Sequence, residues 1–170
     1  MRSRLHLLLL LVITACAGCA GYRVGPVSGD IAGDRSIEVT PFASKVIEPR
    51  VGDAVTTSLR RQLQQEGTFR LNTRGEADVV VTGSVIEYDR SNISFQPEDI
   101  LTPRDYRLRI RAHVTARDRT SGRVLLDRDV LGQTTLRVTP DLSSAERQAI
   151  PQATDDLARN ITALLTEGAW

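Results

Sequence analysis

The stretch Asp105–Arg119 leaves the chain the least freedom. Tyr106, Leu108, Ile110, Ala112, Val114 and Ala116 fall on one parity, and Arg107, Arg109, Arg111, His113, Thr115 and Arg117 on the other. Strict alternation over such a run specifies a strand with one buried and one wet face. Asp118–Gly122 (DRTSG) is a turn signal. Val124–Val138 then returns with Val124, Leu126, Val130, Leu136 and Val138 on one parity. The pair reads as a hairpin, with Asp127 and Asp129 on the polar face beside the Arg row.

The rest of the chain supplies partners for that sheet. Ser36–Phe42 alternates Ile37 and Val39 against Glu38 and Thr40, a half-buried strand closed by Pro41. Pro49–Glu66 reads as a helix. Pro49 suits its first turn, Val51, Val55, Leu59 and Leu63 form one apolar stripe, and Gly67 follows as the terminating residue. Phe69–Leu71 is a short strand and Ala77–Arg90 a longer one, with Gly83 as a candidate bulge. Residues 91–104 break every pattern and read as a long loop. Leu142–Thr166 is a second helix with an apolar face through Ala153, Leu157, Ile161, Leu164 and Leu165. Ser143 and Glu146 make a capping box there, and Pro151 is expected to break or restart the helix.

Each helix has one apolar stripe and the clean strand one apolar face. The expected fold is α+β: a two-layer sandwich, with a mixed sheet of four or five strands and two helices packed on one face. The chain of 170 residues suits one such domain, at 36–170, and is 41% hydrophobic and 25% charged, a globular balance. A formal charge of +1 is too small for a dedicated nucleic-acid binder.

The first 20 residues (MRSRLHLLLLLVITACAGCA) read as an address. Arg2 and Arg4 precede an apolar run, Leu5 to Ala15, that is too short to span a bilayer and fits a signal peptide over 1–15. Ile13-Thr14-Ala15-Cys16 resembles a bacterial lipobox, with Cys19 as the rival modified residue. An ordinary secretory cleavage near Ala20 is the alternative. Lipidation would leave residues 16–35 as a lipidated start and short tether. The acyl chains, palmitate among them, would hold the domain at a membrane. Ala17 and Ala20, the residues after the two cysteines, are not the Asp that retains lipoproteins at the inner membrane. The outer membrane, periplasmic face, is therefore the expected location.

No catalytic constellation is legible. His113 is the one histidine after residue 15, no Gly-x-Ser-x-Gly elbow or phosphate-binding glycine loop occurs, and the paired carboxylates are sequence neighbours that do not converge. The expectation is a non-enzyme without metal or cofactor. Two positive features remain. Arg107, Arg109 and Arg111 stand about 6–7 Å apart on one sheet face, with Arg90 and Arg104 nearby in sequence. They read as an anion site, or as a solvated face paired with Asp127 and Asp129. Phe95, Ile100 and Leu101, in the 91–104 segment, read as partner contacts or as residues folded back on the sheet edge.

A lipobox, Gly21-Tyr22-Arg23-Val24, Ile37-Glu38-Val39-Thr40-Pro41-Phe42, a helix, Ala77-Asp78 with Gly83, a Thr-Ser-Gly turn and a C-terminal helix together resemble the LptE family. The resemblance covers nearly the whole chain after the lipobox, through diffuse motifs. Family members usually place Gly-Tyr directly after the cysteine, which is not the spacing here. The resemblance implies a two-layer α/β fold without a cofactor. It implies binding to the LptD β-barrel and help in lipopolysaccharide transport to the outer leaflet, with basic residues on the lipid. By chemistry, those would be Arg107, Arg109 and Arg111, then Arg90 and Arg104. The element order is also similar to LpoB-like activators of peptidoglycan synthases and to the TolB N-terminal and curli-secretion folds, which are binding modules for periplasmic proteins.

Overall fold

The structure is a computed structural model and describes residues 33–48, 50–137 and 141–167. The signal segment, Cys16, Cys19, the tether up to residue 32, Pro49 and Val138 lie outside the described residues.

Eight elements follow one another: β1 Ser36–Val39, β2 Ala43–Ser44, α1 Val51–Glu66, β3 Arg70–Leu71, β4 Val79–Gln96, β5 Asp99–Asp118, β6 Val124–Arg137 and α2 Leu142–Glu167. They form a six-stranded sheet in the order β3-β1-β4-β5-β6, with β2 also beside β4. β1 runs parallel to β3 and β4, and β4-β5-β6 is an antiparallel meander. The expected α+β sandwich is therefore the fold. β1 and β2 are one strand interrupted at Pro41: both lie parallel to β4, on Val79–Val81 and on Ser84–Val85.

The core lies between the helices and one sheet face. Val51, Val55, Leu59 and Leu63 of α1 and Leu157, Ile161 and Leu165 of α2 pack there with Ile37, Val79, Leu108, Ile110 and Val114, all fully buried. Each such side chain contributes about 1.5–3 kcal/mol by leaving water. The two helices are also joined by polar contacts. Ser58 Oγ donates to Asp155 Oδ1 at 2.7 Å and lies 3.1 Å from Thr154 Oγ1. Gly67 ends α1 at φ +79°, its N–H donating to the Leu63 carbonyl, as its position in the sequence implies.

Several local expectations need correction. Residues 91–104 are not a loop. β4 continues to Gln96, turns at Pro97–Glu98 and returns as β5 from Asp99. The backbone ladder continues past the helices; with no layer above it, no apolar alternation marks these strands. The bulge of β4 lies at Ile86 rather than Gly83, because the pairing jumps from Val85–Ala112 to Glu87–Arg111. Gly83 instead receives the Phe42 ring; an added Cβ would lie 2.3 Å from it. A second register shift, at Leu125, turns Val124 to the exposed side, so it leaves the parity of Leu126.

α2 is one helix straight through Pro151. Pro151 and Arg147 are both exposed, so water can serve the carbonyl that the proline cannot. Its cap is Asp141, whose carboxylate accepts from the Ser143 and Ser144 N–H groups. Those contacts hold the Asp141 carboxyl below its ordinary range, with the Ser144 hydroxyl as the largest cause. Ser143 and Glu146 do not form the expected box; Glu146 reaches the sheet instead. Likewise α1 begins at Val51 with Arg50 as its cap residue.

Candidate functional site

The sheet face opposite the helices is open, and the pairing register sets its side chains in rows. Glu87, Arg111 and Leu131 lie across one row, Asp89, Arg109 and Gln133 across the next, and Ser91, Arg107 and Thr135 across the third. Arg107, Arg109 and Arg111 thus share one face, as the alternation requires. The carboxylates opposing them are Glu87 and Asp89. Arg109 Nη2 donates to Asp89 Oδ2 at 2.6 Å, and that contact raises the Arg109 pKa further. Arg111 Nε lies 3.0 Å from Glu87 Oε2, yet makes no hydrogen bond. Asp127 and Asp129 sit further along, opposite Thr115 and His113. His113 Nδ1 is 2.9 Å from Asp129 and its Nε2 3.1 Å from Asp127. Arg107 has no carboxylate partner among the described residues. It is the member of the row whose charge is not already met.

Beyond Arg107 the sheet narrows to a two-stranded ribbon, Ile93–Gln96 with Asp99–Arg104. At its root Asp105 is buried. It accepts from Ser94 Oγ at 2.5 Å, Arg137 Nε at 2.9 Å and Arg104 Nε at 3.0 Å. Those three donors, the Ser94 hydroxyl foremost, hold its carboxyl far below the ordinary range. Arg104 is therefore spent on Asp105. Arg90 does not join the row either, because the Ile86 bulge turns it to the helix side. There Arg90 Nη1 donates to Glu146 Oε2 at 2.5 Å and its guanidinium lies 5.8 Å from the Tyr106 ring centroid. Tyr88 donates to the other Glu146 oxygen at 2.5 Å; burial and that carboxylate push the Tyr88 hydroxyl above the usual tyrosine range. Glu146 thus braces the ribbon root against α2.

On the ribbon, Phe95 is 46% and Leu101 85% exposed, and Ile93 joins them at 40%. The sequence pointed to Phe95 and Leu101, and neither folds back on the domain. The side chain of Ile100 lies outside the described residues. Ile93 was missed because a bulge at that position removes it from any simple parity. Glu87, Asp89, Asp105 and Arg137 were missed as well. The signal for the first two was present in the Glu87-Tyr88-Asp89 alternation, but only a strand register can place it opposite the arginines. Among the described residues no group of three or more His, Cys, Asp or Glu could hold a metal ion, and no helix is long and apolar enough to cross a membrane.

Three solved structures share the fold. A candidate lipoprotein from Caulobacter crescentus is 15% identical with a TM-score of 0.54, covering 77% of this chain and 88% of its own. A minor lipoprotein from Acinetobacter baumannii is 16% identical with a TM-score of 0.51, covering 78% and 93%. The Chlamydia trachomatis protein CT253 is 9% identical with a TM-score of 0.59, covering 82% and 98%. No curated protein matches the sequence. The model of one family, described as LptE, lipopolysaccharide-assembly, matches residues 35–165.

Proposed function

Because the chain belongs to the LptE family of lipopolysaccharide-assembly proteins, we propose that it is a non-catalytic outer-membrane lipoprotein that binds an LptD-like β-barrel and contacts lipopolysaccharide. The observation that carries this reading is the family match, which spans residues 35–165 and so nearly all of the described domain. The open face adds chemistry suited to the lipid. Arg107 presents an unmet guanidinium beside the Asp89-paired Arg109, and guanidinium forks suit phosphate. The anchor is the Cys16 thioether in this reading, with residues 1–15 removed and 16–35 as the tether.

The test is retention of the barrel by the tagged full-length protein from detergent-solubilised envelopes. Recovery of a penicillin-binding protein instead would favour the activator reading. Lipopolysaccharide binding should weaken about ten-fold or more in Arg107→Ala with Arg109→Ala. The double variant should keep its melting temperature within a few degrees, since both side chains lie off the core. Unchanged binding would remove the anion site and leave the barrel partner standing. Cys16→Ala should abolish the acyl mass by mass spectrometry; a retained acyl mass would move the anchor to Cys19.

A further inference from the structure

The far end of the ribbon carries one sign of charge. Residues 93–103 (ISFQPEDILTP) hold Glu98 and Asp99 and no Lys, Arg or His. The cations at the ribbon root are already paired, Arg104 and Arg137 with Asp105 and Arg90 with Glu146. Among the described residues no ion pair reaches Glu98 or Asp99. Asp99 also shapes the tip. Its carboxylate accepts from the Leu101 N–H at 2.9 Å and from the Thr102 hydroxyl, a local turn of the kind aspartate favours. Those contacts, the Thr102 hydroxyl foremost, hold the Asp99 carboxyl below its ordinary range, so it stays ionised at neutral pH. Beside these two carboxylates Ile93, Phe95 and Leu101 stand exposed.

Apolar side chains set among carboxylates select what can cover them. The turn at Pro97–Glu98 leads the ribbon, so Glu98 and Asp99 would meet any surface first. A bilayer would have to take up both charges, and an anionic lipid surface would repel them. A second copy of this chain fits no better. The domain's apolar groove of Val46, Ile47, Ile86 and Tyr88 is rimmed by Glu48 and Glu87, which present like charge to the tip. A protein cleft with an apolar floor and a basic rim meets both halves of the chemistry.

We propose that the ribbon tip, Phe95 and Leu101 flanked by Glu98 and Asp99, docks by its side chains into an apolar cleft rimmed by Lys or Arg on a protein partner. The apolar pair is the anchor. The two carboxylates steer it and turn away anionic surfaces. The tip is presented ready-made, because Asp105 and Glu146 fix its root and Asp99 its bend, so little ordering is left for the encounter. The molecule thus sorts two ligands by charge: the tip meets the protein, and the Arg107 face meets the anion. Taking the barrel as that protein rests on the reading above.

Binding of the full-length chain to the purified LptD-like barrel in detergent tests it. Phe95→Ser with Leu101→Ser should weaken that binding about ten-fold or more. The melting temperature should hold within a few degrees, since both side chains are exposed. Glu98→Lys should weaken binding at low salt, with the difference from the native chain shrinking as salt rises. A benzoylphenylalanine cross-linker at position 101 of the otherwise native chain should give an adduct to the barrel. If the double variant melts early, the Glu98→Lys and cross-linking results decide alone. Unchanged affinity in a folded double variant, or unchanged or tighter binding in Glu98→Lys, overturns the proposal and leaves the functional reading intact. So does a cross-link that reaches lipid, a second copy or residues 1–32 of the same chain and not the barrel. If the native chain binds no barrel, both fall.

Discussion

Asp105 shows how one residue can hold two parts of the molecule in register. Its carboxylate joins Ser94 of β4, Arg104 of its own strand and Arg137 at the end of β6. The folded-state pKa lies below the ordinary 3.8, with the Ser94 hydroxyl the largest cause. The stability this adds is present above about pH 4 and is lost as pH falls through the depressed folded value. Asp105→Asn should lower the melting temperature at pH 7 and flatten the acid limb of the stability curve; superimposable acid limbs in the two proteins would refute this. Gly132 matters for a steric reason. An added Cβ would lie 2.4 Å from Leu157 Cβ and 2.5 Å from the Ala153 carbonyl. Gly132→Ala should cost about 1–3 kcal/mol in denaturant unfolding, by lifting α2 from β6. Neither role could be read in the sequence, since each depends on residues brought together from distant elements. The shared face of Arg107, Arg109 and Arg111 was legible, because side-chain parity along a strand is a local property. Which of the three is neutralised was not, because Glu87 and Asp89 arrive from a neighbouring strand.

At the scale of elements, legibility followed burial. The apolar stripe of α1, the face of α2 and the alternation of β5 all face the core, and each was readable as such. The ribbon has no core beneath it, so its strands carry no pattern and looked like loop. Pro151 misled for the complementary reason. Local propensity argues for a break there, but the buried side chains on both sides of it, Ala149, Ala153 and Leu157, keep the helix continuous. The proline's cost is still present in the folded state. Pro151→Ala should therefore raise the unfolding free energy by up to about 3 kcal/mol, measured by denaturant midpoint. An unchanged midpoint would mean that the helix has fully adapted to the ring.

The whole molecule is asymmetric along its strands. Ser36 Oγ and N donate to Asp78 at 2.6 and 2.7 Å, and Arg35 pairs with Asp118 at 2.8 Å, so the first strand is fastened at the β5–β6 turn end of the sheet. Those two Ser36 donors, the hydroxyl first, hold the Asp78 carboxyl below its ordinary range. Removing them with Ser36→Ala and Asp78→Ala should loosen β1, seen as faster amide exchange at Ile37 and Val39, while Arg107 and the ribbon stay unchanged. Family membership was recoverable from the order of elements and a few diffuse motifs. β4 spans 18 residues from the fastened end to the tip, roughly 55 Å of extended chain. The exposed phenylalanine and leucine stand at that remove from the fastened end. Shortening the ribbon by a pair of residues per strand would draw its tip back from that end by about 7 Å without disturbing the core.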